Sequence, residues 1–356
     1  MKRMSFVVAV VLLPVLFLAT FRCDMAVLCA AEVKTVTDMC NHEVNVPVSP
    51  ERIACMHCVS PEKIMTLGKG SLIALMSEQS PWAYRLFPEI KGAGSNKGVT
   101  PAEMLDMDID FVLYTPGMTK AEPYSTVGLK VVCAFSGETR PMTLDAYQEN
   151  FTRQVRLFGE ILGPDALERA DRYIAFFKDK VNRILDITSK IDPKDRPTVY
   201  YGGLRSDPLQ GQGNGSVMHW NTMVSGGDYL PRNLEDNHAK AAMEQVLLWD
   251  PDIILLSGLC DSVDVVAKDP QWAGLKAVKN GKVYLLPQGV YTWDHASNEG
   301  VLLMIYMAKL FYPDLFKEWD MLKEMRTFYS EIYGRSVPDE DLERILKHLS
   351  PATPAP

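Results

Sequence analysis

At 356 residues, with 37 Lys and Arg against 45 Asp and Glu, the chain carries a formal net charge of −8. That acidity excludes the basic face that nucleic-acid binding needs. A hydrophobic fraction of 47% excludes a disordered chain, and the length supports two lobes with ordinary cores.

Lys2 and Arg3 precede an apolar run over residues 6–21, and Ala30 and Ala31 follow as small residues suited to cleavage. Residues 1–31 read as a secretory signal, with a membrane anchor as the alternative because the run is near the lower limit for spanning. Arg22 before Cys23 and Leu28 before Cys29 do not suit lipid attachment. Cleavage removes three cations (Lys2, Arg3, Arg22) and one anion (Asp24), taking the net charge from −8 to −10. Cys40, Cys55, Cys58, Cys133 and Cys260 remain, an odd number that leaves at least one unpaired in an oxidising compartment. Cys133 and Cys260 end or follow apolar runs and are expected as buried thiols.

Residues 33–53 form a turn-rich lead-in to a first strand over 52–56. Cys55-Met56-His57-Cys58 lies at that strand's carboxyl end, and Ser60-Pro61-Glu62 starts a helix with Pro at its first position. Further strands are expected over 72–76, 111–114 and 130–135, separated by helical segments, which argues for a largely parallel sheet. Leu167, Ala170, Ile174, Phe177, Val181 and Ile184 recur at steps of three and four, so one amphipathic helix is expected over 165–191. It would run roughly 40 Å. Gly163-Pro164 sets its start and Asp192-Pro193 its end. Strands over 198–201, 252–256 and 282–286 repeat the first plan, and residues 313–356 read as a helical tail with Leu342, Ile345 and Leu346 on one face and a frayed end over 352–356.

The fold class is therefore α/β: two Rossmann-like lobes joined by a single long helix, with a ligand cleft between them. The divisions are 32–162 for the first lobe, 163–192 for the linking helix, 193–312 for the second lobe and 313–356 for the tail. Ligands of open α/β sheets bind at the carboxyl ends of strands. This places His57, Trp82 and Tyr114 of the first lobe opposite Tyr201, Arg205, His219, Trp220, Trp293 and His295 of the second. Arg205 offers bidentate contacts to a carboxylate or phosphate, with a surface arginine as the plain alternative. Aromatics suit a bulky chelate, or simply pack against the helix near Asn298. Cys55 and Cys58 are soft metal ligands by type, yet a core thiol or disulfide is the preferred reading. No GxSxG elbow, P-loop or HExxH pair supports an enzyme.

Asp38, His42-Glu43-Val44, Val46-Pro47 and Pro50-Glu51-Arg52-Ile53 resemble the opening of periplasmic substrate-binding proteins of ABC importers for iron complexes and cobalamin. So does AEMLDMDIDFVLY at 102–114, with Ile109 where Pro is usual, and its second copy MEQVLLWDPDIILL at 243–256, with Pro251-Asp252 intact. Trp272, Leu275, Ala277-Val278, Gly281, Val283-Tyr284 and Pro287 complete a resemblance over residues 36–335. It implies a class III, helix-linked protein that closes little on its ligand and has no cofactor or catalysis of its own. The implied ligand is an iron complex (siderophore or haem), cobalamin or a similar metal chelate. A directly coordinated metal ion or an oxyanion is the alternative, and a two-lobed metal-cluster or chelatase-type enzyme is a more distant one. The implied partner is an inner-membrane ABC permease, met by a monomer through Glu103 and Glu244.

Overall fold

A computed structural model describes residues 32–135, 142–234 and 239–352; the expected signal 1–31 and residues 353–356 of the expected frayed end lie outside the described residues. In place of the expected lead-in, the chain starts with an antiparallel hairpin of β1 (Val33–Thr37) and β2 (Glu43–Pro47), pairing Val36 with Val44. Asp38 organises its turn. Oδ1 accepts from the Cys40 and His42 amides, each at 2.9 Å, and Oδ2 accepts from the Cys133 amide at 3.0 Å. Cys40 and Cys133, with Cα atoms 5.8 Å apart, form a disulfide. The expectation of a free Cys133 is thus corrected, because the Asp38 turn carries Cys40 alongside a residue 93 positions away. Cys55 and Cys260 are buried free thiols, and Cys58 is a partly exposed one.

The first sheet is parallel and five-stranded: β3 (Ile53–Cys55), β4 (Ile73–Met76), β5 (Gly94–Ser95), β6 (Phe111–Tyr114) and β7 (Val131–Cys133), in the order β5-β4-β3-β6-β7. Helices α1 (Ser60–Thr66), α2 (Pro81–Leu86), α3 (Pro101–Asp106) and α4 (Glu122–Thr126) connect them. The chain moves outward from β3 to β5 and then returns to the other side of β3 for β6. That reversal opens a crevice at the carboxyl ends of β3 and β6.

Two helices follow, α5 (Leu144–Leu162) and α6 (Pro164–Thr188). Gly163, at φ 107°, turns the chain back, so α5 lies antiparallel along α6. Phe151 meets Phe177 at 4.9 Å between ring centroids, and Gly159 packs against Ala166, Leu167 and Ala170. Helix α6 buries Ala170, Ile174, Phe177, Val181 and Ile184 from the expected stripe, with Tyr173 among them, and its 25 residues span roughly 37 Å. At one end Arg169 Nη1 donates to the Thr66 carbonyl (3.3 Å), and at the other Thr188 Oγ1 donates to the Val224 carbonyl (2.9 Å). It therefore bridges both lobes.

The second sheet comprises β8 (Thr198–Gly202), β9 (Asp228–Tyr229), β10 (Ile253–Leu256) and β11 (Val283–Leu285), with all pairs parallel in the order β11-β10-β8-β9. It carries α7 (Val217–Val224), α8 (Met243–Trp249), α9 (Asp264–Ala267) and α10 (Lys276–Lys279). Here the reversal falls between β8 and β10. Helices α11 (Gly300–Phe311), α12 (Met321–Glu331) and α13 (Asp339–Leu346) end the chain, and the tail touches both lobes. Arg85 pairs with Asp341 at 2.9 Å and Trp82 Nε1 donates to the Leu349 carbonyl at 2.9 Å, while His348 Nδ1 lies 2.9 Å from the Leu286 carbonyl. Among the described residues, no helix is long and apolar enough to cross a membrane.

A Cβ on Gly159 would stand 2.8 Å from both the Leu167 Cα and the Ala170 Cβ, so one helix must move to admit it. Gly159→Ala is expected to lower stability by about 1–2 kcal/mol, the overpacking cost exceeding the gain in helix propensity. Urea unfolding checks this, and an unchanged or raised midpoint contradicts the close helix contact.

Candidate functional site

The crevice beyond β3 and β6 is lined by short polar turns. His57 follows β3, stacks on Phe135 (5.9 Å between centroids), and keeps Nδ1 3.3 Å from Ser60 Oγ. Burial, with help from the Lys63 ammonium, pushes the imidazole down to about 4, so it is neutral at physiological pH. Tyr114 ends β6 and is buried. The next residue, Thr115, buries an Oγ1 with no partner. Trp82 opens α2, with Arg85 6.0 Å above its ring, and its bond to Leu349 ties it to the C-terminal tail.

In the second lobe the loop after β8 folds back on its own strand. Tyr200 donates to the Pro208 carbonyl (2.9 Å), and that carbonyl leaves no room for a Cβ on Gly202. Arg205 is exposed at φ 53° and Ser206 follows at φ 60°, two successive side-chain-bearing residues in the left-handed region. Such backbone is costly and concentrates where a side chain must be presented in one direction. The glycine-spaced run Gly211 to Gly215 then leads into α7, capped by Ser216. His219 Nδ1 accepts from the Gly215 amide (3.0 Å), which fixes the ring proton on Nε2. Burial and then Arg232 push this imidazole down to about 4. It is a neutral donor, stacked between Trp220 (4.5 Å) and Tyr229 (5.7 Å). Trp220 stacks in turn on Tyr147 of α5 (6.5 Å), whose hydroxyl donates to Asn221 Oδ1 (2.9 Å).

The loop after β11 brings three of the expected residues together. Asp294 is fully buried; Oδ2 accepts from Tyr201 (2.6 Å) and the Gly258 amide (3.3 Å), and Oδ1 accepts from Thr292. His295 Nδ1 lies 3.0 Å from Oδ1 as an ion-pair contact. Burial opposes the charge, but His295 and the two hydroxyls outweigh it and hold the carboxyl well below its usual range. Trp293 is completely buried, and its Nε1–H has no acceptor. Tyr291 faces Cys58 across the lobes, and burial followed by that thiol raises its phenol. The lobes also meet where Ser80 Oγ reaches the carbonyls of Gly289 (2.7 Å) and Val290 (2.9 Å).

Asp294 thus joins Tyr201 to His295, α7 joins His219 to Trp220, and His57 stands with Phe135 on the opposite side. Sequence reasoning missed Gln212, which donates to the Asp294 carbonyl (3.0 Å) and accepts from the Met218 amide (3.2 Å). Its place inside the glycine-spaced run was the available signal. Tyr147, Asn221 and Glu299 carried none. Glu103 and Glu244 are exposed in the first turns of α3 and α8, and Glu103 closes a capping box with Thr100. Among the described residues, no group of three or more His, Cys, Asp or Glu side chains is placed to hold a metal ion.

Because His57 is neutral when folded down to about pH 4, the unfolded chain takes up the extra proton below its ordinary value of 6.5. Folding stability should therefore fall as pH drops through that window, and a shift of this size amounts to up to about 3 kcal/mol. Urea titrations from pH 7 to pH 4 should show a smaller loss for His57→Gln than for the wild type. Parallel curves contradict a buried neutral His57.

A family model described as a periplasmic binding protein matches residues 78–290. The molybdate-binding protein MolA of Haemophilus influenzae is 30% identical over 107 residues, a stretch covering 30% of this chain and 30% of that relative. The solved structure of MolA bound to molybdate aligns with TM-score 0.75 and 21% identity, over 86% of this chain and 99% of that one. A periplasmic solute binding protein from Veillonella parvula aligns with TM-score 0.70 and 25% identity, over 88% and 97%. Helicobacter pylori CeuE in a nickel–histidine complex gives 0.68 at 16% identity, over 88% and 99%. These likenesses establish two α/β lobes bridged by a long helix.

Proposed function

The chain belongs to the periplasmic binding protein family, as a class III solute-binding protein of the periplasm rather than an enzyme, and from that premise we propose that it captures a molybdate-type oxyanion for an inner-membrane ABC importer. The observation that carries this reading is the polarity of the unsatisfied buried groups. Trp293 Nε1 and Asn221 Nδ2 are donors without acceptors and Thr115 Oγ1 is free to donate; against them stand two unpaired buried acceptors, Gln79 Oε1 and Gln154 Oε1, and His295 Nδ1 makes no hydrogen bond either. A buried donor without an acceptor is costly, and an oxyanion supplies what these donors lack. His219, neutral with its proton on Nε2, adds a further ring N–H donor. A bare cation would instead need lone pairs converging from several side chains. Arg205 adds a charge at the carboxyl end of β8, suited to bidentate contact. The molybdate-bound relative supports the same choice over the iron chelate or cobalamin suggested by sequence resemblance.

One observation favours a metal complex as the second reading. His295 Nδ1 lies 3.0 Å from the buried Asp294 carboxylate, a carboxylate–histidine pairing of the kind that orients an imidazole toward a metal whose chelator leaves one position open.

Calorimetry with molybdate, tungstate, sulfate and a ferric hydroxamate separates the two. Molybdate binding is expected, and Trp293→Phe, which keeps a ring but removes the N–H, should weaken it by about 1.5–3 kcal/mol. A ferric hydroxamate that binds while molybdate does not would replace the oxyanion reading by the metal complex. For the permease, Glu244→Arg should abolish uptake in whole cells while leaving ligand affinity unchanged, and Glu103→Arg should act in the same direction. Normal uptake by both variants removes these carboxylates from docking.

A further inference from the structure

We propose that Glu299 is a positioning residue for the ligand site: a single buried carboxyl that fixes the loop carrying Tyr291, Trp293, Asp294 and His295. Glu299 has no solvent exposure and sits at the amino end of α11, outside the set of groups facing the cleft. Oε1 accepts from the Val290 amide (3.2 Å) and from the Tyr329 hydroxyl of α12, and Oε2 accepts from the Tyr291 amide (3.0 Å). A Cβ at position 289 would strike both Glu299 and Tyr329, so Gly289 is what lets the loop lie against the carboxyl. The same two residues, Gly289 and Val290, turn their carbonyls to Ser80 of the first lobe.

The loop is therefore gripped on its amide side by Glu299 and on its carbonyl side by Ser80. A continuous hydrogen-bonded path runs from α12 through Glu299 and the loop backbone to the opposite lobe. The residues that follow on this loop include the unpaired Trp293 Nε1 and the ionised Asp294. Their placement depends on where the backbone at Val290 and Tyr291 is held. Without the carboxyl, two buried amides lose their acceptors, and the loop can regain partners only by moving toward water.

The inference rests on the oxyanion reading only for its affinity arm. With molybdate as the probe, Glu299→Gln should weaken binding on the order of tenfold, the scale seen when groups behind direct ligands are altered. The glutamine keeps one acceptor oxygen, so in the same variant at least one of the Val290 and Tyr291 amide protons, followed by NMR hydrogen exchange without ligand, should exchange at least as many times faster. Glu324→Gln breaks the ion pair with Lys180 (2.6 Å), away from the cleft loop, and should lower the melting temperature while leaving affinity and both amides unchanged.

Wild-type protection of the two amides in Glu299→Gln overturns the proposal, as does an equal loss of affinity in Glu324→Gln. If molybdate fails to bind the wild type, the oxyanion reading falls and the exchange experiment still decides the role of Glu299. If Glu299→Gln does not fold, Tyr329→Phe takes its place. Tyr329 shares Oε1 with Val290, so that variant should expose the Val290 amide more than the Tyr291 amide, and equal protection counts against the proposal.

Discussion

The cleft depends on one buried meeting point, where Glu62 and Lys63 of α1 reach the turn at Ala296 and Asn298 in the other lobe. Lys63 Nζ donates to the Ala296 carbonyl (2.7 Å) and to Asn298 Oδ1 (2.5 Å), lies 3.8 Å from Glu62 Oε2, and sits 4.5 Å from the centre of the Phe151 ring. Glu62 accepts from the Asn298 amide at 3.1 and 3.2 Å and from Tyr333 at 2.8 Å. Tyr173 of α6 donates to the Asn298 carbonyl (3.0 Å). Burial raises the Glu62 carboxyl and lowers the Lys63 ammonium to about 8, so neither group gains from being charged there alone. A buried pair of this kind is weak evidence for stability but strong evidence for one geometry. Apolar helices can slide against each other; a fully satisfied polar cluster can be satisfied in one register only.

That constraint shapes how a ligand is taken up. The lobes are tied by α6, by the tail across Trp82 and Leu286, by the Ser80 bonds and by the Asn298 cluster, so hinge-type closure would have to break buried hydrogen bonds. On the proposed oxyanion reading, less ordering would accompany binding, because the donors would already stand in place before the ligand arrives. On that reading the burden of discrimination would fall on fixed donor placement.

The strands and α6 were legible because their signals are local. The apolar run at 53–55 and the stripe from Ala170 to Ile184 declare themselves within one window. The two-residue strands β5 and β9 are too short for a period, and β1 and β2 look like turns until they pair with each other. The disulfide, the Asp38 turn and the Asn298 cluster join residues far apart in sequence, which no window contains. Among the candidate site residues, strand position alone put His57 and His295 on carboxyl-end loops, whereas Tyr201 lies within β8 and His219 within α7. The sequence could not show that Trp82 would bond to Leu349, that His219 would be a neutral donor, or that Gln212 would bridge Asp294 and α7. Those facts depend on which hydrogen bond each side chain finds after folding.

The two lobes share a plan but divide the work unequally. In each sheet the order reverses once, between β3 and β6 and between β8 and β10, and these crevices hold His57 and Thr115 on one side and Gly202 and Ser257 on the other. Yet the loop with the densest chemistry follows β11, an edge strand beyond the second reversal. Topology alone would leave that loop splayed from the cleft. It is drawn in because Ser80 takes its carbonyls, Gly258 leaves no side chain between it and β10, and Asp294 is held by Tyr201 from the crevice strand itself. The fold supplies two crevices, and side-chain hydrogen bonds bring the third wall to them.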